Sequence, residues 1–158
     1  MLDPTIDPNR KYDGKTPLQW AVIFDREEMV RVLYGCPRVD RTAQDCSGSN
    51  LLNLAALYGS GDIMRILLDD PDVDPNKRAV CKCGCTPLHD AVDAGNLGSI
   101  RALADDPRVD RWRYDRSGRR PFQGCGSRSG RQRSNGVFQI LKSLRRAERE
   151  RERMGGGR

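Results

Sequence analysis

The sequence predicts an all-α solenoid of helix-turn-helix units joined by short β-hairpin-like loops. Two markers recur at one spacing along the 158 residues. A glycine-led segment opens at intervals of 34, 36 and 34 residues, at Gly14, Gly48, Gly84 and Gly118. A V-D motif keeps the same phase and ends at Asp40, Asp74 and Asp110. Because two independent markers share one period, a stack of repeats is expected rather than one globular core.

The residues after each glycine favour the start of a short helix. The first segment, G-K-T-P-L-Q-W-A, returns in the third unit as G-C-T-P-L-H-D-A, and weaker copies open the second and fourth units. A threonine at this point is a good N-cap, since its oxygen can accept from a free amide of the first turn. A proline suits the next position, where a missing N–H is no loss. The residues assigned to this pattern are Thr16, Pro17 and Leu18, and then Thr86, Pro87 and Leu88.

These segments resemble the ankyrin repeat, whose signature is G-x-T-P-L-H-x-A, at a period slightly longer than the usual value of about 33 residues. The resemblance is strongest for residues 11–110. It implies a hairpin-like turn followed by two antiparallel helices in each unit, stacked into a slightly curved slab. It also implies that His89, the histidine of T-P-L-H, ties adjacent hairpins together by hydrogen bonds to the backbone. Gln19, Asn53 and Gln123 occupy the same place in the other units.

The second helix of each unit is expected to supply the bulk of the core, because its apolar residues recur at helical spacing. They are Met29, Val30, Leu33, Ile63, Met64, Leu67, Ile100 and Leu103. Gly59 and Gly95 are expected to end the first helices in a left-handed conformation. Two positions depart from the pattern. Asp25 stands where the helix-ending glycine belongs, and Asp90 replaces Trp20 and Leu54, so Asp90 must reach solvent or a partner.

The two markers divide the chain into six segments. We expect the tail of a truncated repeat at 1–12, repeats at 13–44, 45–80 and 81–114, a degenerate repeat at 115–145, and a charged C-terminal helix with a glycine tail at 146–158. Because residues 2–12 match the end of a repeat, the chain starts in mid-pattern. It is therefore expected to be a monomer or a piece of a longer array.

The resemblance implies that a partner binds to the hairpin tips and the inner face of the first helices. Four large apolar or aromatic residues fall at helix positions expected to be in water, and exposed apolar surface of this kind is typical of interaction sites. The alternative is that they pack inward between units. The residues carried over are Ile23, Phe24, Leu57, Tyr58 and Asp93 on the helices and Tyr12, Lys15, Arg116 and Arg119 on the hairpins.

Three cysteines in five residues, C-K-C-G-C, open the third unit. Soft thiolates suit zinc or copper(I), and Cys46 on the neighbouring hairpin is the candidate for a fourth ligand beside Cys81, Cys83 and Cys85. The spacing departs from common zinc patterns, and reduced thiols are the expected state. The sequence therefore predicts no cofactor, with a thiol- or metal-responsive module as an alternative function.

Charge divides the chain into two parts. Residues 1–110 hold 13 Lys/Arg and 18 Asp/Glu, a net charge of −5, whereas residues 111–158 hold 15 and 4, a net charge of +11. The stretch R-W-R-Y-D-R-S-G-R-R also interleaves aromatic residues with arginines, which is typical of single-strand binders. Binding of nucleic acid or of an acidic surface through 111–133 is the first alternative function, and the thiol- or metal-responsive module is the second.

Other function classes find little support in the sequence. It has no Ser/His/Asp set, phosphate loop or paired acids, so no enzyme is expected. No stretch approaches the roughly 20 apolar residues that span a bilayer, and the first residues lack the features of a signal peptide. The expected function is binding of another protein, in the cytoplasm or alternatively the nucleus.

Overall fold

The architecture is described from a computed structural model, for residues 6–80, 84–122, 139–140, 142–143 and 146. Six helices are named in this part: α1 (Pro17–Ile23), α2 (Glu27–Tyr34), α3 (Leu51–Tyr58), α4 (Gly61–Leu68), α5 (Pro87–Ala94) and α6 (Leu97–Asp105). No strand is found in the described ranges, where the one β-type pairing is an isolated bridge between Tyr12 and Lys15. The predicted all-α solenoid is confirmed.

The helices form two layers of three. Helices α1, α3 and α5 pack side by side in one layer, and α2, α4 and α6 form the other. The pairs α1–α2, α3–α4 and α5–α6 each form a hairpin across the layers. Small side chains make the close approach possible, since Ala55 and Ala91 are fully buried. Large aliphatic residues from both layers, among them Leu18, Ile63 and Leu103, fill the space between them.

The predicted helix starts are confirmed. The Thr16 hydroxyl accepts from the Gln19 amide at 3.3 Å, and the Gln19 side-chain oxygen accepts from the Thr16 amide at 2.8 Å. Asn50 and Asn53 exchange the same pair of bonds at the start of α3. These reciprocal bonds satisfy amides that a helix otherwise leaves free in its first turn.

The expected left-handed glycine is found at one helix end and not at the other. Gly95 has φ +69°, as expected, whereas Gly59 has φ −82° and ψ 171°, so the prediction for Gly59 was wrong. Its backbone runs directly into the Ser60 cap of α4, and a Cβ on Gly59 would lie 3.1 Å from Ala55. Gly59 is therefore needed for space. In the first unit Asp25 itself takes a positive φ of 54°.

Most of the predicted core of the second helices is buried, but Met29 is not. Its side chain is 53% exposed, so its assignment to the core was wrong. Within its layer, α4 packs between α2 and α6. In the described part of the chain, α2 has a neighbour in this layer on one side only, which is α4. The apolar stripe of α2 is therefore only partly covered, and Val32 on the same helix is 66% exposed.

Candidate partner-binding surface

Two aromatic rings stack on each other towards the C-terminal end of α1. Trp20 and Phe24 are four residues apart, which places them on one side of the helix. Their ring centroids are 5.4 Å apart and their planes differ by 16°. The Trp20 indole N–H donates to the Tyr12 carbonyl at 3.0 Å, and the Lys15 ammonium lies 5.2 Å from the Trp20 ring. The pair is thus held in place from the hairpin that precedes it.

Phe24 is 63% exposed and Tyr58, its counterpart one unit on, is 58% exposed. Helices α1 and α3 pack directly against each other, so equivalent positions on them are neighbours. We call Trp20, Phe24 and Tyr58 the aromatic patch. Ile23 and Leu57 are half-buried, and Ile23 contacts the core. The two aromatic residues therefore point outward, while the aliphatic residue beside each is largely covered.

The hairpin residues assigned to the site have different surroundings. Tyr12 is largely exposed and Lys15 is half-buried. The Arg119 guanidinium donates to the buried Asp115 carboxylate at 2.9 Å, so it stabilises its own hairpin. The aliphatic part of Arg116 covers Gly84 of the previous hairpin closely enough that a Cβ there would collide with it.

Hydrogen bonds from side chains to backbone carbonyls link one unit to the next. The Gln19 amide donates to the Ala43 carbonyl at 3.0 Å. In the third unit His89 Nδ1 lies 2.8 Å from the Thr86 hydroxyl, and Nε2 lies 2.9 Å from the Arg119 carbonyl. These contacts agree with the backbone-tying role that the resemblance implies for the histidine. Gln123 lies outside the described residues.

In the third unit, Asp90 stands at the position of Trp20, and Asp93 stands at the position of Ile23 and Leu57. The Asp90 carboxylate accepts from the Asn53 side-chain amide at 2.6 Å, across the α3–α5 contact. Burial raises the pKa of Asp90 to about 6, the Asn53 hydrogen bond lowers it, and the nearby Asp93 raises it further. Asp93 is exposed. The surface therefore changes from aromatic to acidic along the row α1, α3, α5.

The cysteines that the structure describes are not grouped. Cys85 is buried and Cys46 is exposed, and no group of three potential metal ligands occurs in the described ranges. Cys81 and Cys83 lie outside those ranges.

The aromatic residues of the basic region contact other side chains. Trp112 lies edge-on to Phe122 with centroids 6.3 Å apart. The Arg120 guanidinium lies 5.0 Å from the Tyr114 ring and also donates to the Tyr114 hydroxyl at 2.7 Å. Residues 123–133 of the proposed basic region, and the residues beyond Arg146 for which a charged helix was predicted, are outside the described residues.

The three helical hairpins stack side by side, which is the architecture of a helical-repeat protein. A family model described as ankyrin repeats in three copies matches residues 37–115, and one described as an ankyrin repeat matches residues 13–46. The chain belongs to the ankyrin-repeat family. Ankyrin repeats are in general protein–protein interaction modules, and proteins built from them are typically non-enzymatic scaffolds. Within the described residues, no helix has both the length and the apolar character needed to cross a membrane.

Trp20 is the site residue that sequence reasoning missed. It was noted only as the counterpart of Leu54 and Asp90. The signal was present, because an aromatic residue at position i of a helix with another at i+4 predicts a side-chain contact.

Proposed function

We propose that this chain binds a partner polypeptide through the aromatic patch and the adjoining hairpin tips. The observation that carries the proposal is the stacked Trp20–Phe24 pair, in which Trp20 is half-buried and Phe24 is exposed, together with the exposed Tyr58 at the equivalent position of the neighbouring helix. Large rigid aromatic side chains lose little entropy on binding and are favoured as energetic anchors. Contiguous exposed apolar surface of this kind is unfavourable in water unless a partner covers it.

The charge pattern favours a particular partner chemistry. The third unit presents Asp90 and the exposed Asp93 on the same row of helices. A polypeptide with an apolar side chain over the aromatic patch and a lysine or arginine towards these acids would match the surface. A cation beside Asp90 favours its ionised form, which lowers its pKa. Binding of such a partner should therefore strengthen as the pH rises through 6.

Capture of the partner from an extract tests the proposal. The chain would be immobilised as wild type, as the double variant Phe24→Ala/Tyr58→Ala, and as the control Met29→Ala/Val32→Ala. The control removes equally exposed apolar side chains from α2, in the other layer. We expect the bound polypeptide to be lost only from the Phe24/Tyr58 variant, with the circular dichroism of all three unchanged. Equal loss from both variants would contradict the proposal.

Binding of nucleic acid through 111–133 stays the alternative. The Arg120 guanidinium lies over the rings of Tyr114 and Trp112, so these rings are less available for bases to stack on. A titration with single-stranded oligonucleotide at two salt concentrations separates the two functions, because phosphate contacts make affinity strongly salt-dependent. For the compartment, we favour the cytoplasm over the nucleus.

A further inference from the structure

An asparagine side chain links consecutive units at two of their junctions. The Asn9 carboxamide donates to the Arg38 carbonyl at 2.8 Å and accepts from the Asp40 amide at 2.7 Å. Asn76 makes the same two bonds to the Arg108 carbonyl and the Asp110 amide, both at 2.7 Å. Each carboxamide thus donates to one carbonyl and accepts from one N–H, and these two backbone groups lie two residues apart on the following unit. We call this pair of bonds the carboxamide clamp.

The junction between these two has no clamp, because Thr42 stands where the asparagine belongs. The local turn is the same: the Thr42 amide donates to Asp40 Oδ1 at 2.8 Å, as the Asn76 amide does to Asp74 Oδ1 at 2.9 Å. The threonine hydroxyl instead donates to its own turn, to Asp40 Oδ1 at 2.7 Å. It is too short to offer both an acceptor and a donor across the junction.

The receiving backbone on the next unit is nevertheless in place. The turn before Asp74 is closed by a bond from the Val73 amide to the Asp70 carbonyl, the equivalent of the bonds that precede Asp40 and Asp110. In the described part of the chain, the Asp72 carbonyl and the Asp74 amide have no hydrogen-bond partner. A donor and an acceptor are thus arranged to receive a carboxamide that the chain itself does not supply.

A cavity of about 310 Å³ lies at this junction. Thr42, Asp72 and Asp74 line it together with the charged side chains of Arg41, Asp70 and Lys77. The apolar part of the wall consists of Leu51, Leu52, Leu67, Val73 and the ring of Tyr34. Binding sites for small molecules commonly begin at about this volume and combine apolar walls with a few polar groups. The cavity shares no residue with the aromatic patch.

A second unpaired donor lines the same cavity. Asn50 is 8% exposed, and its side-chain Nδ2 has no hydrogen-bond partner. The corresponding caps of the first and third units are Thr16 and Thr86, which have no such amide. A buried donor without a partner costs about 1–3 kcal/mol, so an acceptor on a bound molecule would remove an existing penalty.

We propose that this cavity binds a small ligand that carries a primary carboxamide on a short apolar body. The carboxamide takes the place of the missing asparagine: it donates to the Asp72 carbonyl and accepts from the Asp74 amide. The apolar body lies against Leu51, Leu67 and Val73. A carboxylate of the same shape is a poor substitute, because it has no proton to donate to the Asp72 carbonyl.

Hexanamide, with hexanoate as its matched control, is the probe for this site. Each is titrated into wild-type protein and into Thr42→Asn and Thr42→Val, and binding is followed by NMR at the backbone amides of Asp74 and Leu51. Thr42→Asn supplies the missing clamp from the chain itself and should weaken hexanamide binding at least tenfold. Thr42→Val cannot supply a clamp, so it should keep most of the hexanamide affinity that Thr42→Asn loses.

Three results would overturn the proposal. They are hexanamide that shifts neither amide in the wild type, hexanoate that binds as tightly as hexanamide, and Thr42→Asn protein that retains wild-type affinity for hexanamide. Folding is checked in the same spectra, since each variant must keep the dispersed amide signals of α3 and α4.

Discussion

Replacing Asp90 with asparagine should stabilise the stack at neutral pH. The pKa of Asp90 rises from 3.8 to about 6 on folding, mainly through burial. Folding therefore takes up a proton between about pH 4 and pH 6, and stability falls as the pH rises through that window. Each pKa unit corresponds to about 1.4 kcal/mol, which gives about 3 kcal/mol for the full shift. Because the carboxylate is partly exposed, we expect Asp90→Asn to recover about 2 kcal/mol above pH 7.

Urea unfolding followed by tryptophan fluorescence, from pH 4 to pH 8, measures this effect. The difference between the wild type and Asp90→Asn removes the contribution of groups that titrate in both proteins. It should be small near pH 4 and grow to its full value near pH 7. Asp93→Asn is the control, since Asp93 is exposed and should change stability little. A difference that stays constant with pH, or an asparagine variant less stable at pH 7, would refute the reasoning.

Substitutions at three further positions test the contacts between units, each by urea unfolding at pH 7. Asn76→Ala removes both bonds of one carboxamide clamp and should destabilise the protein by about 1–2 kcal/mol. Thr42→Asn adds the missing clamp and should stabilise it by about 1 kcal/mol; a loss of stability would show that the junction cannot close. Asp25→Ala keeps an unfavourable positive φ and loses the bond from the Ser60 amide at 2.9 Å, so it should cost about 2 kcal/mol, and Asp25→Gly should cost less.

The helices could be predicted from the sequence because their signals are local. Thr16 and Pro17 specify a helix start by hydrogen bonding and by a fixed φ, and both effects act within one turn. The repeat then specified which helices are neighbours, since similar units stack with equivalent faces in contact. Met29 was misassigned because its spacing within α2 is correct for a core residue. Its exposure depends on what covers the helix from outside, and spacing carries no information on that.

The candidate surface was only partly predictable. The resemblance placed Phe24 and Tyr58 at outward positions, but whether an aromatic side chain turns out or packs in depends on the space left by its neighbours. The ion pair between Arg119 and Asp115 depends on the conformation of the hairpin, which could not be predicted from the sequence.

The cavity was not predicted at all. It lies at the junction where Thr42 stands in place of the asparagine, and its walls come from residues far apart in the chain, such as Thr42 and Asp74.

The affinity of the captured polypeptide is the most direct test of the central proposal that the aromatic patch is the binding surface. Trp20 stacks on Phe24, so its fluorescence should report binding in a titration with the purified partner. Loss of a central aromatic anchor typically costs about 1–2 kcal/mol or more. Phe24→Ala should therefore raise Kd about tenfold, while Met29→Ala leaves Kd at the wild-type value. Unchanged affinity in folded Phe24→Ala protein would contradict the account.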